Sequence, residues 1–294
     1  MSKRVHFTKM HGAGNDYIYV YTPDCPLGDP VRLAQLWSRP HFGVGSDGLI
    51  LVGKGPLPPE LRRSTAEADF SMRIFNNDGS EAMMCGNGVR CVAKFVRDHH
   101  LTEASVIRVD TLSGVKVIDV YSNADGEVTS ARVDMGRPLL SNPRQCATPS
   151  GCLRHGILPG TPYQGTYVCM GNPHFVIFVS DVLSLDLPAI GPALERHELF
   201  PERCNIEFAQ LRADGSVRMR VWERGSGVTM ACGTGACATA VAALISQGLP
   251  TGTVSVEMDG GTLSIEWAPD GHVYMTGPAD SVFEGDIICD EEAT

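Results

Sequence analysis

Along most of this chain, apolar and polar residues alternate in short runs, the period of strands with one face buried. Such runs read "DYIYVY", "GLILV", "FSMRIF", "SVIRVD", "GVKVIDVY", "YVCM", "HFVIFV", "NIEFAQL", "SVRMRVW", "VSVEM", "TLSIEW" and "HVYMTG". Asp-Gly dipeptides at Asp125-Gly126, Asp214-Gly215, Asp259-Gly260 and Asp270-Gly271 supply the positive φ of tight turns between strands. Helical periodicity stands out around 31–38, 87–98, 187–197 and 235–247. The pattern predicts a strand-rich α/β (α+β) fold with few helices. Two Pro/Gly-rich stretches, "GKGPLPPELRRST" and "NPRQCATPSGCLRHGILPGTPYQG", read as loops.

Two of the helices follow the same kind of turn. Residues 76–96 read "NNDGSEAMMCGNGVRCVAKFV" and residues 223–243 read "ERGSGVTMACGTGACATAVAA". Setting Arg73 on Arg220, a shift of 147, places Phe75 on Trp222, Met83 on Met230, Cys85 on Cys232, Gly86 on Gly233 and Gly88 on Gly235. Upstream, "HGAGNDYIYV" matches "MGNPHFVIFV" with Asn15 on Asn172, at a shift of 157. The reading is an internal duplication into two pseudo-symmetric lobes, each with one helix held among mainly antiparallel strands. Residues 1–130 plus 278–294 carry Cys85, residues 131–277 carry Cys232, and the site is expected in a cleft between them.

Composition narrows the class. A chain of 294 residues suits two domains, and 43% hydrophobic with 20% charged residues is that of a globular protein. A formal charge of -10 disfavours nucleic acid, whose binders carry basic patches. The charged start "MSKRVHFTKMHGAGND" has no apolar signal core, and no run is long enough to span a bilayer, which predicts a cytoplasmic protein without a membrane partner. The acidic end "EGDIICDEEAT" reads as solvated surface. Ten cysteines in that compartment argue against a disulfide framework, and no C-x-x-C pair supports zinc or thioredoxin-like chemistry. "GVGSDG" fits G-x-G-x-x-G but leads into a strand, so it is no dinucleotide site.

What remains is a pair of thiols at helix starts. Such a position carries unpaired N–H groups and partial positive charge, which favour an anion. Glycines on either side let the amides approach a ligand. Two such turns facing one carbon invert it: one thiolate removes the α-proton while the opposite thiol delivers another. The carbanion's charge spreads into a carboxylate held by the amides, so no cofactor or metal is expected. Like-charge repulsion favours one thiol with one thiolate, and predicts a bell-shaped pH profile.

The repeat breaks beside the thiols, where Asn76-Asn77-Asp78 faces Glu223-Arg224-Gly225. Such asymmetry suits a substrate with a long zwitterionic side chain: Arg224 for a distal carboxylate, Glu223 for an ammonium, and Asn15, Asn76, Asn172 and Asn205 for further hydrogen bonds.

Six blocks, "FTKMHGAGNDYIYV", "RIFNNDGSEAMMCGNGVRC", "MGNPHFVIF", "LFPERCNIEF", "RVWERGSGVTMACGTGACA" and "VYMTGPADSVFEGDI", run in order from residue 7 to 287. Together they resemble the diaminopimelate epimerase family. The resemblance implies cofactor-independent interconversion of LL- and meso-diaminopimelate, and two lobes, each a barrel-like sheet around a central helix, usually in a homodimer. It implies proton transfer by Cys85 and Cys232, and carboxylate binding by the amides of Gly86, Asn87, Gly233 and Thr234. Substrate contacts would come from Asn15, Asn76, Asn172, Asn205, Glu223 and Arg224, with His174 orienting the site. Gly48 departs from a frequent Gln, and Thr234 replaces a frequent Ser.

Two rivals stand beside this reading. A proline racemase or hydroxyproline epimerase shares the thiol pair but has little use for Glu223 and Arg224. A redox protein would cycle the two cysteines as a disulfide, without exchange at a substrate carbon. Cys91, Cys237 and the remaining six cysteines are expected to be packing residues, and His99-His100 the ordinary end of a helix.

Overall fold

The computed structural model describes residues 2–290. Residues 1–133 with 277–294 cluster into one compact unit, and residues 134–276 into a second.

The first unit contains β1 (Ser2–Gly12), β2 (Asn15–Tyr21), α1 (Pro30–Trp37), β3 (Gly48–Lys54), β4 (Phe70–Asn76), β5 (Glu81–Ala82), α2 (Gly86–Asp98), β6 (Val106–Thr111), β7 (Gly114–Ser122) and β8 (Val128–Asp134). The last strand, β18 (Asp280–Asp290), pairs antiparallel with β1. The β1–β2, β3–β4, β4–β5, β6–β7 and β7–β8 pairs are also antiparallel. Two pairs, β2–β3 and β4–β6, are parallel. A parallel pair needs a crossover, and α1 and α2 lie in those two connections.

The second unit contains β9 (Gly156–Ile157), β10 (Gln164–Cys169), β11 (Pro173–Phe178), α3 (Leu187–Glu195), β12 (Asn205–Leu211), β13 (Val217–Glu223), β14 (Gly227–Val228), α4 (Gly233–Ser246), β15 (Gly252–Met258), β16 (Gly261–Trp267) and β17 (Val273–Pro278). Its pairings repeat those of the first unit: β11–β12 and β13–β15 are parallel, while β10–β11, β12–β13, β13–β14, β15–β16 and β16–β17 are antiparallel.

The duplication extends to residue register. Tyr17 pairs with Gly48 as His174 pairs with Asn205, at the shift of 157. Phe70 pairs with Val109 as Val217 pairs with Val256, at the shift of 147. Each unit carries two helices, where the sequence reading placed one among the strands, because each has two parallel pairs to connect.

The helices form where local chemistry allows. Asp29 accepts the N–H groups of Val31 and Arg32 with Pro30 opening α1, and Asp186 accepts that of Ala189 at the start of α3. Helix α4 is apolar on every side, and buried from Ala236 to Leu244 against β10 to β13, β15 and β16. Helix α2 packs on β1, β2, β7 and β18, so its sheet curves around it. Its two buried cations are satisfied: Lys94 donates to the Val128 carbonyl at 2.8 Å and pairs with Asp98, and Arg90 donates to the carbonyls of Gly86 and Pro278. The acidic end read as solvated surface is β18 as far as Asp290; its residues are largely exposed but Cys289 is buried, and residues 291–294 lie outside the described residues. "GVGSDG" runs into β3, a strand.

Candidate active site

Cys85 and Cys232 are the N-cap residues of α2 and α4. Both have extended backbone, with φ of -131° and -125°. Each sulfur accepts the N–H of the residue three ahead, Gly88 or Gly235, at 3.4 Å. The sulfur thus takes the place of a capping oxygen. That leaves the first two helical N–H groups of each turn, those of Gly86 and Asn87 and of Gly233 and Thr234, without a partner among the described residues. Two amides beside a sulfur form an anion-binding corner in each unit.

Around Cys85, Asn15 is a polar neighbour. Its Oδ1 accepts from Sγ at 3.3 Å, and its Nδ2 donates to Asp47 at 2.7 Å. Burial raises the Asp47 carboxyl, against hydrogen bonds from the Asp16 backbone and Asn15. Asn76, at the end of β4, donates to Ser80 Oγ at 3.0 Å.

Around Cys232 the neighbours are ionisable. Burial, then the carboxylates of Glu223 and Glu207, push its thiol well above the ordinary cysteine value, opposed by hydrogen bonds from Thr234 and the Gly235 amide. Burial also raises half-buried Glu223, whose Oε1 accepts from Thr229. His174 is fully buried: Nδ1 meets Glu207 Oε1 at 2.7 Å, and Nε2 meets Asn172 Oδ1 at 3.0 Å. Asn172 Nδ2 donates to Thr234 Oγ1 at 3.3 Å, and that hydroxyl lies 3.6 Å from Cys232 Sγ.

Asn205 and Arg224 meet differently from the sequence expectation. Both ends of the buried Asn205 amide are occupied by backbone: Nδ2 donates to the Pro173 carbonyl, and Oδ1 accepts the Arg224 N–H, each at 2.9 Å. Asn205 therefore holds the turn that presents Arg224. The Arg224 side chain is exposed and donates to the Glu202 carbonyl at 3.0 Å. Buried Glu195 braces the same turn, accepting from Trp222 Nε1 at 2.8 Å and the Gly225 N–H at 3.2 Å.

Within the first unit, Cys85, Gly86, Asn87 and Asn15 come together, with Asn76 at the neighbouring strand end. Within the second, Cys232, Gly233, Thr234, Asn172, His174 and Glu223 come together, and Asn205 joins them through the backbone. Sequence reading missed Asp47, Glu195, Glu207 and Thr229. For Glu207 a signal existed: at the shift of 157 it falls on Ile50 of "GLILV", an acid where the repeat has an aliphatic. Gly48 stands at the register position of Asn205, and a Cβ there would lie 2.2 Å from the Phe75 carbonyl oxygen. All ten cysteines are free thiols; Cys91, Cys146, Cys169, Cys204, Cys237 and Cys289 are buried.

Comparison with known proteins gives the family. The profile of the diaminopimelate epimerase family matches residues 7–140 and 166–282. A diaminopimelate epimerase of Phocaeicola vulgatus is 56% identical over 291 residues, 98% of this chain and 99% of that one. One from Bacteroides thetaiotaomicron is 52% identical over 288 residues, 98% and 99% of the two chains. Among solved structures, a Bacillus anthracis phenazine biosynthesis protein of the PhzF family aligns with TM-score 0.68 at 16% identity, covering 98% of this chain and 100% of its own. A hydroxyproline epimerase from Agrobacterium vitis aligns with TM-score 0.66 at 16% identity, covering 98% and 93%. Those two show a shared fold; with the full-length matches in sequence, the chain belongs to the diaminopimelate epimerase family.

Proposed function

We propose that this chain is an isomerase that interconverts LL- and meso-diaminopimelate by two-base proton transfer, with Cys85 and Cys232 on opposite faces of one α-carbon. The observation that carries the reading is the matched pair of cysteine N-caps, each beside two unpartnered helix-start amides, in a chain 56% identical to a diaminopimelate epimerase.

The substrate α-carboxylate lies on the amides of Gly86, Asn87, Gly233 and Thr234. As a thiolate takes the α-proton, negative charge grows on that carboxylate, where the N–H groups meet it without reorganising. The thiol on the other face returns a proton. Its configuration is inverted and the number of protons on the two sulfurs is unchanged. Cys232, held as a thiol by burial first and then by the Glu223 carboxylate, is the donor when Cys85 is the base; the roles exchange in reverse. Arg224 and Glu223 recognise the distal carboxylate and ammonium, and Asn15, Asn76 and Asn172 complete the contacts. The reaction draws on no cofactor. The reading extends to a cytoplasmic homodimer, which sedimentation of the purified protein tests.

The deciding experiment incubates LL-diaminopimelate with the protein in deuterated water under a thiol reductant. Deuterium enters one α-position with formation of the meso isomer, and Cys85→Ala or Cys232→Ala abolishes both. Exchange into proline or hydroxyproline, without exchange into diaminopimelate, overturns the substrate. Turnover of reductant with no α-exchange overturns the chemistry.

A further inference from the structure

The two asparagines that the duplication makes equivalent, Asn15 and Asn172, present opposite ends toward their cysteines. Asn15 has its NH2 taken by Asp47, so its oxygen faces the Cys85 thiol. Asn172 has its oxygen taken by His174 Nε2, so its NH2 faces Thr234. Thr234 Oγ1, having accepted that bond, keeps its own hydrogen to donate, and Cys232 Sγ lies 3.6 Å away. The Cys85 thiol meets an amide oxygen, whereas Cys232 has the Thr234 hydroxyl beside it as well as the Glu223 carboxylate, to which it is hydrogen-bonded.

Glu207 sets the second orientation. With Asn172 Nδ2 on Thr234, Nε2 of His174 must donate. Between Nδ1 and Glu207 Oε1, 2.7 Å apart, a proton must also lie, because two lone pairs cannot face each other. His174 and Glu207 thus hold two protons between them and form a net-neutral pair, wherever the shared proton rests. The carboxylate is buried, and Oε2 has no hydrogen-bond partner among the described residues. Burying an acid on a single bond is costly, and the equivalent position of the first unit is filled by Ile50. A Cβ on Gly235 would lie 2.8 Å from Glu207 Oε1, so glycine there admits the acid beside the start of α4.

We infer that Glu207 is a positioning residue: through His174, Asn172 and Thr234 it aims a hydroxyl hydrogen at Cys232 and stabilises that sulfur whenever it is a thiolate. Asp47 performs the opposite service, aiming an oxygen at the Cys85 thiol. With the charge of Glu207 balanced by His174, its repulsion of the Cys232 thiolate is outweighed by the chain through His174, Asn172 and Thr234. The inference rests on the two-thiol reading of the site. Among the described residues, the ionisable groups acting on His174 are Glu207 from β12, in contact at 2.7 Å, and Glu223 from β13.

The test follows iodoacetamide alkylation of Cys232 against pH in the substrate-free protein, by peptide mass mapping, with Cys85 as internal reference. In Glu207→Leu the hydrogen-bonded chain is broken, and the Cys232 profile moves up by about one pH unit while Cys85 stays in place. Glu207→Gln donates to Nδ1, keeps Nε2–H toward Asn172, and restores the wild-type profile. A carboxylate acting only as a charge would move both variants down instead; that result, no shift, or a common shift of both cysteines overturns the inference. Should Glu207→Leu fail to fold, 15N NMR of the wild-type His174 ring decides: a proton on Nε2 supports the inference, and a bare Nε2 overturns it. Neither readout uses diaminopimelate, so a failed epimerase assay and a failed positioning role are separable.

Discussion

Cys232 Sγ accepts the N–H of Gly235 at 3.4 Å, the same distance at which Cys85 Sγ accepts that of Gly88. The thiols therefore have a structural duty as helix caps besides any chemical one, and substitutions separate the two. A serine oxygen caps at least as well as sulfur, whereas alanine cannot cap and costs about 1 kcal/mol. Cys85→Ser and Cys232→Ser are expected to keep the wild-type melting temperature and lose epimerisation by about a thousandfold or more. Calorimetry and the deuterium assay on the same preparations check both halves of that statement.

The glycines under the caps are not equivalent. A Cβ at Gly88 would lie 2.8 Å from Ile50 Cδ1, and one at Gly235 would lie 2.8 Å from Glu207 Oε1. An isoleucine terminus can turn aside; a carboxylate bonded to His174 cannot without breaking that bond. Gly235→Ala is expected to lower activity at least about tenfold more than Gly88→Ala, since the displaced group belongs to the Cys232 neighbourhood. Side-by-side steady-state kinetics measure the difference.

Alkaline pH should destabilise the fold. Burial raises the thiol of Cys91 to about 11, and those of Cys204 and Cys232 well above 9.0. The unfolded chain releases these protons first, so folding stability is complete below the ordinary thiol value and falls as pH rises above it, the Cys91 contribution being lost by about 11. Each such thiol contributes a slope of about 1.4 kcal/mol per pH unit. Denaturant melts at a series of pH values from about 8 to 11 are expected to show an unchanged midpoint at the lower end and a steady fall above it.

Glu195 lies behind the turn that presents Arg224 and not in it. By accepting from Trp222 and Gly225 it fixes the backbone that presents Arg224. Glu195→Ala should raise KM for diaminopimelate about tenfold with a smaller change in kcat, because a distal binding group is loosened and the thiols are untouched. Equal losses in both constants would place Glu195 nearer the chemistry.

Gly48 offers a structural check. A side chain there meets the Phe75 carbonyl oxygen at 2.2 Å, so Gly48→Gln is expected to cost about 1–3 kcal/mol of stability and to bring no gain in KM. Thermal melts and kinetics of that single variant settle it.

Much of this arrangement is legible in the chain because the signals are local. Cysteine, glycine, any residue and glycine before an apolar helix specify a cap, and the cap bond spans three residues. The four helices and the repeat at shifts of 147 and 157 follow from periodicity and spacing alone. The sequence reading places residues 278–294 with the first lobe, but the strand β18 and its register on β1 were hidden, because Arg4 meets Ile288 across almost the whole chain and an acidic run reads as surface until a partner strand covers one edge. Glu207 was hidden as well: in "NIEFAQL" the face of Asn205, Glu207 and Ala209 reads as solvent-facing, yet all three are buried.

What the sequence determined by itself was the placing of two sulfurs at two helix starts, since hydrogen bonds to the third residue ahead and a hydrophobic period need no distant partner. What the tertiary structure decided was the character of each sulfur: Asn15, 70 positions from Cys85, and Glu207, reaching Cys232 through His174, Asn172 and Thr234, arrive by strand pairing. Such neighbours are set by the register of β2 on β3 and of β11 on β12, and a register between separate segments is an outcome of packing the whole sheet around its helix.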